Sequence, residues 1–111
     1  MFRFLRTIFR DRLIGAGSRS GQWPKVRTYF LKENPTCAVC GGNKTLEVHH
    51  IKPFHTNPDL ELDLNNLITL CENKKNGVNC HLLFGHLGNY RCQNPNVVED
   101  SYEWNKKILT R

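Results

Sequence analysis

The sequence predicts a small α+β domain, two short strands and a helix carrying cysteine and histidine, with further helices on either side. Three observations predict it. The stretch Cys37–Leu87 holds four of the five cysteines and all five histidines of a 111-residue chain. Two apolar, strand-like runs, Thr45 to His49 and Leu67 to Leu70, fall between the cysteine pairs. Amphipathic, helix-like stretches flank this region on both sides. A chain of this size makes one domain, near the length at which a small core benefits from a covalent or metal staple.

Residues 1 to 14 read as a short amphipathic helix, with Phe2, Leu5, Ile8, Phe9 and Leu13 at helical spacing, and GAGSRSGQ at 15 to 22 reads as a joint. Trp23-Pro24 opens a second helix running to about Glu33, since proline in the first turn gives up no hydrogen bond; Val26, Phe30 and Leu31 form its expected buried side. Asn34-Pro35 stops it. Cys37-Ala-Val-Cys40-Gly-Gly then makes a tight knuckle in which glycines tolerate positive φ. A strand over Thr45 to His49, a long loop from Ile51 to Asn66 and a second strand over Leu67 to Leu70 follow. Loops of that length in small domains are usually functional. From about Val78 to Gly88 the chain reads as the helix bearing Cys80 and His81. Asn89 to Pro95 is turn-rich. Asn96 with Glu99 resembles a capping box for a last helix to about Leu109, with Val97, Tyr102, Trp104 and Ile108 for packing.

Cysteine spacing separates metal from disulfides. Cys37 and Cys40 sit two residues apart at a glycine turn and are followed about 30 residues later by Cys71 and Cys80, which suits one tetrahedral Zn2+ held by four thiolates. The disulfide alternative is weakened by the amino-terminal MFRFLRTIFRDRLIGAG, whose arginines interrupt any continuous apolar signal segment. Nothing reads as a membrane span. A reducing, cytoplasmic setting is therefore expected. Cys92 reads as a free thiol.

The charge is unevenly placed. Residues 1 to 32 carry eight cations against Asp11 alone, a net of +7, so the remaining 79 residues carry −1 and the whole chain +6. Such a segment is expected to bind a polyanion by displacing counterions from phosphates. A solvated basic face or a helix lying on a membrane surface would share the same pattern.

Taken in order, Cys-x2-Cys, the paired His49-His50, Asn66 opening NLITLC, and Cys80-His81 resemble the HNH endonuclease family, across about half the chain. The resemblance implies a ββα-metal (His-Me finger) domain at 23–111 behind a basic segment at 1–22, acting as a metal-dependent endonuclease on DNA. By resemblance His50 is the general base that activates water, His49 and His81 bind the catalytic divalent metal, and Asn66 is the central residue of the motif. Asn66 would fix the loop positioning His50 or bind metal directly; Asn65, one residue earlier, is the competing assignment. His86 is a possible third ligand. Against it, five residues on an α-helix turn through about 500°, leaving the side chains about 140° apart, unless Gly85 ends regular helix. Imidazoles suit Zn2+, Ni2+ and Mn2+, whereas Mg2+ would normally want more oxygen donors. Arg19, Lys25, Arg27 and Lys52 are the candidate DNA-backbone contacts, and His55 reads as a surface or phosphate-contacting residue. The pattern departs from the family in one place: eight residues rather than two separate Cys71 from Cys80. Free-standing domains of this kind occur in bacteriophages, mobile elements and restriction systems. A zinc-stabilised nucleic-acid-binding module without catalysis is the rival from another class.

Overall fold

The computed structural model describes residues 20–72 and 79–110. The helix expected over 1–14, most of the joint before Trp23, Arg19 and the spacer 73–78 lie outside the described residues.

Helix α1 spans Trp23–Glu33, with Pro24 in its first turn. Val26 and Phe30, four residues apart and so on one face, are its buried positions, while Leu31 is half-buried. The Asn34 amide and side chain both donate to the Phe30 carbonyl, at 2.8 and 3.1 Å, which closes the helix before Pro35.

Strands β1 (Leu46–His50) and β2 (Leu67–Cys71) form an antiparallel pair in which Leu46 faces Cys71 and His50 faces Leu67. Both strands run one residue further than their sequence suggests. Thr45 stays out of β1 because its φ of 51° is not extended. Neighbours along a strand alternate sides. Val48 and Leu67 join Val26, Phe30, Leu62 and Leu64 in one apolar cluster beneath α1, whereas Leu70 joins Val39, Val97 and the buried cysteines in a second. The loop between the strands contains two single 3-10 turns, Pro58–Leu60 and Leu64–Asn66, and buries Glu61 and Leu62 completely.

The metal-site helix expected from Val78 to Gly88 is instead one wide π-type turn, His81–Gly85. The Asn79 side chain accepts the Leu82 amide at 2.9 Å at its start. Leu87 and Gly88, both left-handed at φ 55° and 83°, end it. Helix α2 spans Val97–Leu109. The expected capping box does not form, since the Asn96 side chain makes no cap bond. Asn94 takes that role: its Oδ1 accepts the Asn96 amide at 2.9 Å, and its Nδ2 donates to Asp100 Oδ2 and to the Phe84 carbonyl, both at 2.8 Å. Packing on α2 also differs from expectation. Val97 and Ser101 are buried and Asn105 donates to the Val39 carbonyl at 2.9 Å, while Tyr102, Trp104 and Ile108 are exposed. The helix is docked by the i, i+4, i+8 row Val97, Ser101 and Asn105, the last bonded to the backbone of the cysteine knuckle at Val39. No helix among the described residues is long and apolar enough to cross a membrane.

Candidate metal centres and catalytic cleft

The knuckle and the sheet bring Cys37, Cys40, Cys71 and Cys80 together, with all four sulfurs within 4.8 Å of one another. The turn is closed by the Gly41 amide on the Cys37 carbonyl at 2.9 Å and by the Cys37 amide on the Gly42 carbonyl at 2.8 Å, with Gly41 at φ 76°. The Gly42 amide points at Cys40 Sγ, 3.5 Å away. The donor set fits zinc. A tetrahedral ion with Zn–S bonds of about 2.3 Å separates its sulfurs by about 3.8 Å, and Cys40 and Cys71 Sγ stand 3.8 Å apart. The electrostatics agree: a hydrogen bond from the Cys80 thiol pulls Cys37 down to about 4. The same bond pushes Cys80 upward, and burial raises Cys40. Four crowded sulfurs cannot all ionise on their own, and a central dication removes that conflict. Four ligands would close such a site to substrate.

A second cluster unites His49, His81 and His86, again with ligand atoms within 4.8 Å. His49 Nδ1 lies 3.1 Å from His81 Nε2, and His81 Nε2 lies 3.2 Å from His86 Nε2. A tetrahedral ion with Zn–N bonds of about 2.0–2.1 Å has nitrogen edges of about 3.3 Å, so the two edges that meet at His81 Nε2 have the length a transition-metal ion requires. The α-helical objection to His86 fails on geometry. A π-type turn closes i→i+5 rings, so residues five apart come to the same side. His81 and His86 are each held from behind. His81 Nδ1 meets Glu72 Oε1 at 2.9 Å, and His86 Nδ1 donates to the Cys92 carbonyl at 2.8 Å. Gln93 Nε2 lies 3.0 Å from His49 Nε2 and donates to the His50 carbonyl at 2.7 Å. Burial, reinforced by repulsion from His81, His86 and His50, lowers His49 to about 3, and burial lowers His86 as well. Neutral imidazole is the ligating form.

His50 projects to the other side of β1. Its Nε2 donates to the Glu61 carbonyl at 2.9 Å, and its ring rests on Trp23 with centroids 4.5 Å apart. With the proton on Nε2, the basic lone pair is on Nδ1. Asn66 is buried and works on backbone: its Oδ1 accepts the Lys52 amide at 2.8 Å, and its Nδ2 donates to the carbonyls of Lys52 and Leu60 at 3.0 and 3.2 Å. Asn65, by contrast, is exposed, and its amide donates to Asp63 Oδ1 at 2.9 Å. Asn66 therefore ties both ends of the long loop, next to the carbonyl that holds His50.

His49, His50, His81 and His86 line one cleft of about 560 Å³, with Trp23, Arg27, His55 and Tyr90 among its other walls. Arg27 sits at the cleft and pairs with Glu47 at 2.7 Å. Lys25 and Lys52 are exposed but not part of its wall, and Arg19 lies outside the described residues. Sequence reasoning missed Glu72, Tyr90, Gln93, Asn94 and Trp23. One signal was there for Glu72: it follows Cys71 as His81 follows Cys80.

Residues 37–82 match the family model described as HNH endonuclease. The matched segment contains all four clustered cysteines, His49, His50, Asn66 and His81, and stops short of His86. No curated protein and no solved structure gives a significant match.

Proposed function

We propose that this chain, whose residues 37–82 match the HNH endonuclease family, is a metal-dependent endonuclease hydrolysing phosphodiester bonds in DNA. The observation that carries the reading is the adjacency, in one cleft, of a three-imidazole cluster and His50, whose Nε2 proton is engaged by the Glu61 carbonyl. His49, His81 and His86 would hold a divalent ion (Mg2+, Mn2+, Ni2+ or Zn2+), with all-nitrogen donors favouring the transition metals. When bound, that ion supplies Lewis-acid stabilisation of the phosphate and of the 3′ leaving oxygen. The four cysteines would hold a separate structural Zn2+.

His50 accepts the proton of the attacking water on Nδ1. The imidazolium so formed is stabilised through Nε2–H on the Glu61 carbonyl, while Trp23 holds the ring plane. Asn66 keeps that carbonyl in place by anchoring Leu60 beside it. Arg27 at the cleft, Lys25, Lys52, Arg19 and the rest of the basic segment at 1–22 grip the phosphate backbone in front of the domain at 23–111. One such centre cuts one strand, so a double-strand break takes two molecules or two visits. Thiol-rich metal centres fit a reducing compartment, the cytoplasm.

The test is supercoiled plasmid incubated with wild type and His50→Ala across Mg2+, Mn2+, Ni2+ and Zn2+, while retained zinc per chain is measured. The expected result is metal-dependent nicking by wild type and none by His50→Ala, which still retains one zinc. Salt-dependent plasmid binding by both proteins without cleavage under any metal would replace this reading with a non-catalytic nucleic-acid-binding module.

A further inference from the structure

The three imidazoles are not held alike. His86 leans on a neutral backbone carbonyl and His49 on the Gln93 amide, but the partner of His81 is a carboxylate. Glu72 Oε1 lies 2.9 Å from His81 Nδ1, and both side chains are largely buried, at 17% and 16% exposure. The same oxygen accepts the Tyr90 hydroxyl at 2.6 Å. The Tyr90 ring in turn meets His86 and His81, with centroids 5.2 and 6.0 Å away. Nε2 of His81 is the atom between the other two histidines, 3.1 Å from one and 3.2 Å from the other. Each partner sits one residue beyond a clustered cysteine, Glu72 after Cys71 and His81 after Cys80, so the four-cysteine site sets the distance between them.

We infer that Glu72 and Tyr90 are positioning residues for the metal centre: Glu72 holds His81 as the Nδ1–H tautomer with its Nε2 lone pair aimed at the cation, and Tyr90 holds Glu72. A neutral imidazole carries one proton, and a carboxylate beside Nδ1 places it there because the alternative sets two lone pairs against each other. The carboxylate also raises the donor strength of Nε2. A tyrosine hydroxyl on the same oxygen stops Glu72 from rotating away into the cleft. The inference rests on the reading of His49, His81 and His86 as a metal site.

The experiment uses the full chain with zinc retained on its cysteines. Ni2+ is titrated calorimetrically into wild type, Glu72→Ala, Glu72→Gln and Tyr90→Phe, and the His81 tautomer is read by long-range 15N–1H NMR before metal is added. Losing such an outer partner typically weakens metal binding about 10–100-fold, and that loss is expected for Glu72→Ala. Glu72→Gln, which keeps an acceptor oxygen, should recover most of the affinity, and Tyr90→Phe should fall between. Wild type should show His81 protonated on Nδ1, and Glu72→Ala a mixture. Nδ1 unprotonated in wild type overturns the inference whether or not Glu72→Ala folds. So does Ni2+ binding by a folded, zinc-retaining Glu72→Ala within about twofold of wild type, while the metal-site reading survives. Failure of wild type itself to bind Ni2+ while it retains zinc overturns both.

Discussion

Gly85 lies directly against the His49 imidazole. A Cβ at position 85 would stand 3.0 Å from both Cε1 and Nδ1 of that ring and 3.2 Å from Nε2. His49 is 3% exposed, and Gln93 Nε2 lies 3.0 Å from its Nε2, so the ring has little space to retreat. Gly85→Ala should therefore push His49 out of register with His81 and His86. Overpacking of this kind costs about 1–3 kcal/mol of stability. The expected outcome is a lower denaturation midpoint together with weakened metal binding at the histidines, while zinc on the cysteines is retained. A variant matching wild type in both would mean that the His49 ring yields to the added methyl group without cost.

Asn66 separates a clamp from a ligand. Removing its side chain in Asn66→Ala takes a partner from the Lys52 amide and from the Lys52 and Leu60 carbonyls in a partly buried place, where Leu60 keeps only the Asp63 amide at 3.2 Å; a group left unsatisfied costs up to about 1–3 kcal/mol. Asn66→Asp is the sharper variant. It keeps an acceptor for Lys52 but sets a carboxylate oxygen against the Lys52 and Leu60 carbonyls, so it should cleave no better than Asn66→Ala. If aspartate instead preserved plasmid nicking, the residue would be acting through its oxygen on metal or water.

How much of this was legible beforehand depended on how local its cause is. Helix α1 was readable because Pro24 and Asn34-Pro35 bracket it by chain chemistry alone. The separation of His49 from His50 follows from strand alternation, which needs no tertiary knowledge. The union of His81 with His86 was readable only on the condition that Gly85 ends regular helix, because hydrophobic spacing assumes 3.6 residues per turn. The wide turn that unites them lies among contacts distant in sequence: Gly85 packed on His49, and Asn94 bonded to the Phe84 and Gly85 carbonyls. Asn94 and Gln93 look like ordinary turn residues until those partners are known. The same holds for α2, where an apparent capping box lost to Asn94.

Acid should act on the histidine cluster before it acts on the rest of the core. His49 falls from an ordinary 6.5 to about 3 because burial, then His81, His86 and His50, disfavour its cation, and His86 is lowered in the same direction. Below about pH 6.5 the unfolded chain takes up a proton that folded His49 refuses, so protons favour unfolding throughout the window down to about 3. Stability should thus fall on acidification, by up to about 1.4 kcal/mol per pH unit for this one group. Metal at the histidines steepens the fall, because only neutral rings can ligate it. Urea denaturation of the zinc-retaining protein between about pH 6.5 and 5, without and with added Ni2+, measures both slopes. Wild type should lose stability faster than His49→Gln as pH drops. Equal slopes would mean that His49 is protonated as readily in the folded chain as in the unfolded one, and its burial between Gly85 and Gln93 would then have no electrostatic consequence.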